Sequence, residues 1–95
     1  MNNKSEYEKR LYKAILNLKN EEECSQFFED LCTIKEIRDM AQRLETAHLL
    51  NKGESYITIS KQIGVSSATI GRVNKCLLYG NGGYKTALER LENDA

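Results

Sequence analysis

The chain has no proline, no tryptophan and a single histidine, and its three cysteines are an odd number. Without proline no helix has to kink or break for lack of a backbone N–H, so punctuation falls to Gly, Asn and Ser. Cys24, Cys32 and Cys76 form no CxxC pair. That counts against a disulfide framework or a zinc site, and buried, reduced thiols of a cytosolic protein are the simpler expectation. No apolar run approaches the ~20 residues of a membrane span. The opening MNNKSEYEKR lacks the apolar stretch of a signal peptide, so a cytoplasmic location is expected. Net charge is zero, which counts against indiscriminate nucleic-acid binding. A chain of 95 residues is one small domain. It buries only about 60–65% of its unfolded surface, so a second subunit would help it.

What the chain does have is a tight sequence of helix stops and starts between Ser55 and Leu78, SYITISKQIGVSSATIGRVNKCLL. Gly64 can end a helix in the left-handed conformation at no steric cost. Ser66 can cap the next, accepting from a backbone N–H near Ala68 or Thr69, and Ser55 stands likewise before Tyr56–Ile63. Ile59 and Ile63 on the first helix, and Ile70, Val73 and Leu77 on the second, have the spacing of facing apolar stripes, with Val65 plugging the turn. Ser60 is small where the second helix must come close. Helices this short are marginal alone and need the shared wedge. The pattern predicts a helix-turn-helix, with a pair of core helices joined by a glycine bend as the plainer alternative.

The side of the second helix away from the wedge carries Ser67, Ala68, Gly71, Arg72 and Lys75. The N-terminal residues of a reading helix reach base edges. Small Ser67 and Ala68 would let the backbone near the groove, a serine can bond to base edges or phosphate, and alanine can touch a thymine methyl. Ser66 and Thr69 stand at the cap or phosphate positions, Arg72 and Lys75 suit phosphate, or guanine if they reach the groove floor, and Lys61 is a further DNA-binding candidate. The same residues would also suit an ordinary solvated face. Charge distribution supports the first view: residues 1–51 carry −2, residues 52–85 carry +4 and residues 86–95 carry −2. The positive excess thus coincides with the proposed DNA-binding unit.

The remainder reads as amphipathic helix. Ser5 and Glu8 form a capping box before Tyr7, Leu11, Ala14, Ile15 and Leu18, which predicts a helix over 5–19. Asn20 caps the next, with Glu21, Glu22 and Glu23 at its positive end and Cys24, Phe27, Phe28 and Leu31 as its stripe. Thr33 and Glu36 open the longest helix, whose stripe runs from Ile34 to Leu50 and which Gly53 ends. His48 has no partner placed for metal or nucleophilic chemistry and reads as a surface or subunit-contact residue. The glycines of Tyr79–Tyr84 lack the GK[ST] ending of a phosphate loop, so they form a turn before a closing helix over 84–93. No strand, repeat, nucleophile–base pair or metal cluster is evident, so the fold expected is all-α with about six helices and the protein is not an enzyme.

The residues from Thr33 to Leu77 resemble the Trp repressor superfamily. The likeness lies in the T-x-x-E helix start, Arg43 ten residues on, LLNKGES before the motif and IGVSSATIGR within it, above all Ala68-Thr69-Ile70-Gly71-Arg72. Including YGNGGYKTALERL, the whole chain looks like the Trp-repressor-like subgroup called YerC/YecD. The resemblance implies one Trp-repressor-like DNA-binding domain over 1–95, with dimerisation helices in 1–53, the helix-turn-helix in 55–78 and the closing helix in 84–93. It implies an intertwined homodimer on double-stranded DNA, its two motifs about 34–36 Å apart on a palindromic operator, with Ser67, Ala68 and Gly71 facing bases. It also implies an amino-acid-like effector wedged between the central and reading helices, held by arginines at the positions of Arg43 and Arg72, with Thr33 a further contact. Two residues depart from the pattern. Val73 stands where tryptophan sensors have glycine beside the indole, and Ile57 replaces a DNA-contacting arginine. The expectation is therefore another ligand or none, with Val73 packing setting the reading helix.

Two functions follow. The first is a sequence-specific transcription regulator, a repressor that binds its operator as a homodimer under small-molecule control. The alternative, favoured by zero net charge and few strong base readers, is a ligand-sensing or protein-interaction dimer that no longer reads DNA specifically.

Overall fold

A computed structural model describes residues 5–94. Residues 1–4, where the signal-peptide reading begins, and residue 95 lie outside the described residues. Among the described residues there are six helices and no strand: α1 (Glu6–Leu16), α2 (Glu21–Leu31), α3 (Ile34–Asn51), α4 (Tyr56–Ile63), α5 (Ser67–Tyr79) and α6 (Gly83–Asn93). They fall into two compact units, one up to Ile37 and one from Arg38 onward.

In the first unit, helix starts follow local hydrogen bonding. The Ser5 hydroxyl accepts from the Glu8 N–H at 3.1 Å while the Glu8 carboxylate accepts from the Ser5 N–H at 2.9 Å. Thr33 and Glu36 repeat the exchange at 3.1 and 2.8 Å. The Asn20 side chain accepts from Glu23 N–H at 2.8 Å. That start shortens α1, which ends at Leu16 rather than near residue 19. The Lys19 N–H donates to the Glu23 carboxylate at 2.9 Å, so the chain has already turned toward α2 there. The Phe27 and Phe28 rings meet edge to face, centroids 5.6 Å apart. No residue of α1 or α2 is buried: Leu11, Ala14, Ile15, Phe27 and Phe28 are half-covered, and Tyr7 and Leu16 are 86% and 82% exposed.

In the second unit, α5 belongs to two apolar clusters. Ile70 packs with Leu49 of α3 and Ile59 of α4, edged by Leu50, Ile63 and Val65. Val73 packs with Ala47 of α3 and Leu88 of α6, edged by Leu44, Leu50 and Tyr84. The end of α3 therefore buries neighbouring sides, including Leu49 and Thr46, which lie outside the simple stripe. The Thr46 hydroxyl donates to the Gln42 carbonyl oxygen at 2.7 Å, which satisfies its polar atom inside the core. The closing helix starts at Gly83, one residue before expectation, with Gly82 as N-cap and no side-chain cap.

The thiols are not buried as expected. Cys24 and Cys32 are half-covered and Cys76 is exposed. Cys24 lies in α2 and Cys32 caps its end, a helix that buries nothing, and Cys76 stands one step round α5 from the inward row Ile70, Val73 and Leu77.

Candidate nucleic-acid interface

The helix-turn-helix is fixed from its backbone outward. The Ser55 hydroxyl accepts from the Thr58 N–H at 3.2 Å and starts α4. Gly64 ends it at φ 89°, its N–H donating to the Ser60 carbonyl oxygen at 2.8 Å. Only glycine takes this left-handed geometry without a Cβ penalty. Ser60 does more than leave room: its hydroxyl donates to the Val65 carbonyl oxygen at 3.1 Å, tying the middle of α4 to the turn. Ser66 then caps α5, accepting from the Thr69 N–H at 3.1 Å and donating to the Thr69 hydroxyl at 3.1 Å. Ile59 and Ile70, both 0% exposed, close the wedge beneath.

Because the inner side is pinned, the outer side has a defined orientation. Ser67, Ala68, Arg72 and Lys75 are exposed together on α5, Gly71 is half-covered between them, and Lys61 is exposed on α4. No acidic residue occupies the first turn of α5, so the partial positive charge of its N-terminus is left for an external anion. The hydroxyls of Ser66 and Thr69 are engaged with each other in the cap. Ser66 thus spends its proton within the chain, and Thr69 keeps one to donate. Ile57 is 70% exposed on α4, where it offers DNA no charge.

Beside this face is a cavity of about 280 Å³ lined by Arg43 of α3, by Thr69, Arg72, Val73 and Cys76 of α5, and by Tyr84 of α6. Arg43 and Arg72, twenty-nine positions apart in sequence, are brought to one cavity. Val73 is 2% exposed and belongs at once to the cavity wall and to the core with Ala47 and Leu88. Thr33 lies in the first unit, where its hydroxyl serves the α3 cap. Sequence reasoning missed Tyr84 and Cys76. Tyr84 looked like the first apolar residue of a closing helix, and its position after a glycine turn was the available hint. It also missed a second cavity of about 470 Å³ between α3 and α6, where His48, Glu45, Glu89 and Glu92 stand around Leu44, Leu88 and Leu91. The repeat of Leu88-Glu89 at Leu91-Glu92 was its signal.

Fold and site together define a small helical protein built around a helix-turn-helix, with an arginine-lined cavity against the second helix of the motif. The Trp repressor protein family profile matches residues 7–92, and the chain belongs to that family. Membership points to a DNA-binding regulator and bears out the resemblance read from the sequence. The chain is 52% identical over 83 residues to the uncharacterized protein YerC of Bacillus subtilis, covering 87% of this chain and 80% of that one. It superposes on a TrpR like protein from Eubacterium eligens with a TM-score of 0.91 at 46% identity, over 94% of this chain and 92% of the other. A candidate Trp repressor from Staphylococcus aureus gives 0.90 at 44% identity, over 94% and 89%. No helix among the described residues is long and apolar enough to cross a membrane.

Proposed function

We propose that the chain is a sequence-specific transcription regulator of the cytoplasm that binds a palindromic operator as a homodimer and represses by occupying a promoter. The observation that carries this reading is the outer face of α5. Small residues at its start and cations farther along are exposed as a set, while Ile59 and Ile70 hold its inner side. Ser67, Ala68 and Gly71 are the base-facing residues in this reading. Arg72, Lys75 and Lys61 neutralise phosphates, and Ser66 and Thr69 set the helix N-terminus against the backbone.

The homodimer reading draws on the first unit and on the larger cavity. α1 and α2 have clear apolar stripes yet bury no residue. The groove between α3 and α6 offers Leu44, Leu88 and Leu91, apolar surface that a second copy could cover. Residues 1–53 are then the dimerisation segment of a single domain. The effector reading draws on the smaller cavity, where a ligand would join α3 to the reading helix. The packed Val73 side chain takes up room there, which argues against tryptophan.

The test is selection of bound duplexes from a randomised pool with wild type, Arg72→Ala and Lys75→Ala. A palindrome with half-sites about one helical turn (34–36 Å) apart is expected, with poorer recovery by both variants. Affinity should fall with salt by a log–log slope of about −0.9 per neutralised phosphate. Absence of any motif at low salt, with and without added amino acids, would overturn the proposal.

A further inference from the structure

We infer that Gly71 is the specificity-determining residue of the outer face of α5, and that what it admits is the C5-methyl group of a thymine in each half-site. The inference rests on the DNA reading above and names the base feature which that face takes. Its first support is that the fold has no use for a glycine here. Gly71 lies inside α5, where glycine is less favourable than alanine. A Cβ built on it has no heavy atom within 4 Å, so no neighbour requires its absence. The glycines with positive φ are Gly53, Gly64 and Gly82, so the backbone at Gly71 is one that any residue adopts. Neither packing nor conformation accounts for the missing side chain, which leaves an approach from outside.

The second support is the chemistry of the notch. Residues three and four positions apart are neighbours on a helix. Gly71 is therefore rimmed by Ser67, Ala68 and Lys75, which are exposed, and by Asn74, which is half-covered. The hydrogen-bond ladder of α5 opens with the Ile70 N–H on the Ser66 carbonyl oxygen at 3.0 Å, and Gly71 is the next rung. Its N–H and C=O are thus committed within the helix, and its outer surface is C–H alone. Such a surface donates nothing to a phosphate, a guanine or an adenine. It gains by covering an apolar group, and among the base edges of the major groove that group is the thymine methyl. The exposed Ala68 methyl extends the same apolar surface. The third support is register. Gly71 opens the second turn of α5, near the end of a reading helix that reaches base edges. The cluster of Leu49, Ile59 and Ile70 fixes the angle at which it is presented.

The test is fluorescence-anisotropy titration of the full-length protein on the palindrome recovered by selection, with deoxyuridine replacing thymidine at one half-site position at a time. Uracil pairs as thymine does and lacks only the methyl. At one thymine of a half-site the exchange is expected to weaken wild-type binding about fourfold, the gain from burying one such group. Exchange in both half-sites should weaken it about fifteenfold, since distant sites add. Gly71→Ala fills the notch and should bind the thymine duplex about tenfold more weakly. It should bind the uracil duplex more tightly than the thymine duplex, because the methyl added to the protein takes the place of the one removed from the base. A merely structural role for Gly71 does not produce that reversal. Selected half-sites without thymine, wild-type indifference to uracil at every thymine, or an equal Gly71→Ala penalty on both duplexes would each overturn the inference. Recovery of no palindrome at all overturns the DNA reading and this inference together, whereas a palindrome that ignores the thymine methyl overturns this inference alone.

Discussion

Gly71 has open space where its side chain would be: a Cβ added there meets nothing within 4 Å. It also lies inside α5, where glycine is about 0.8–1.0 kcal/mol worse than alanine. The fold itself gains nothing from this residue, so its explanation lies with whatever approaches the outer face. Gly71→Ala should raise the melting temperature by roughly 4–8 °C, the shift that about 1 kcal/mol makes in a domain of this size. It should also weaken operator binding by about tenfold, near the cost of one mismatched base pair. Thermal melts and gel-shift titrations of the same preparation would show the two effects moving in opposite directions. Ser60 is the converse case, a residue that serves the fold and not the face. Ser60→Ala removes the bond to the Val65 carbonyl oxygen and should cost about 1 kcal/mol in urea unfolding, with little change in which DNA sequence is selected.

Among the elements, α5 joins the proposed reading surface, the core and the cavity in a single helix. Its inward row splits between two clusters, Ile70 with Leu49 and Ile59, and Val73 with Ala47 and Leu88. Ile70→Ala should therefore cost about 2–5 kcal/mol of unfolding free energy. It should also lower operator affinity with no outward residue changed, which chemical denaturation and binding titration together would reveal. The helix boundaries around α5 were legible in the sequence because they depend on neighbours in the chain. Ser55, Gly64 and Ser66 each act within five positions of themselves, and the wedge follows helical spacing. The end of α1 was misjudged because the Lys19–Glu23 bond belongs to the following helix. The pairing of Arg43 with Arg72 was available only through family likeness, since no local spacing connects α3 to α5. Tyr84 and Cys76 joined that cavity unannounced. Cavity walls depend on which helix faces touch, and single-helix periodicity does not carry that information.

For the molecule as a whole, the division of burial between the two units matters most. Every buried side chain among the described residues lies from Thr46 onward. A homodimer that supplies the missing cover for α1 and α2 should show a melting temperature that rises with protein concentration. Phe27→Glu, which puts a charge beside the Phe28 ring, should shift sedimentation toward the monomer and reduce operator affinity, whereas an unchanged dimer would remove α2 from the interface. If a second copy covers α1 and α2, a newly made chain could close the wedge around Ile59 and Ile70 by itself but would leave the apolar stripes of its first two helices open to proteolysis until that copy arrived. Survival would then depend on encounter, with scarce chains degraded and abundant ones paired. The cellular level of this regulator would have a floor, below which it disappears faster than its synthesis rate alone predicts.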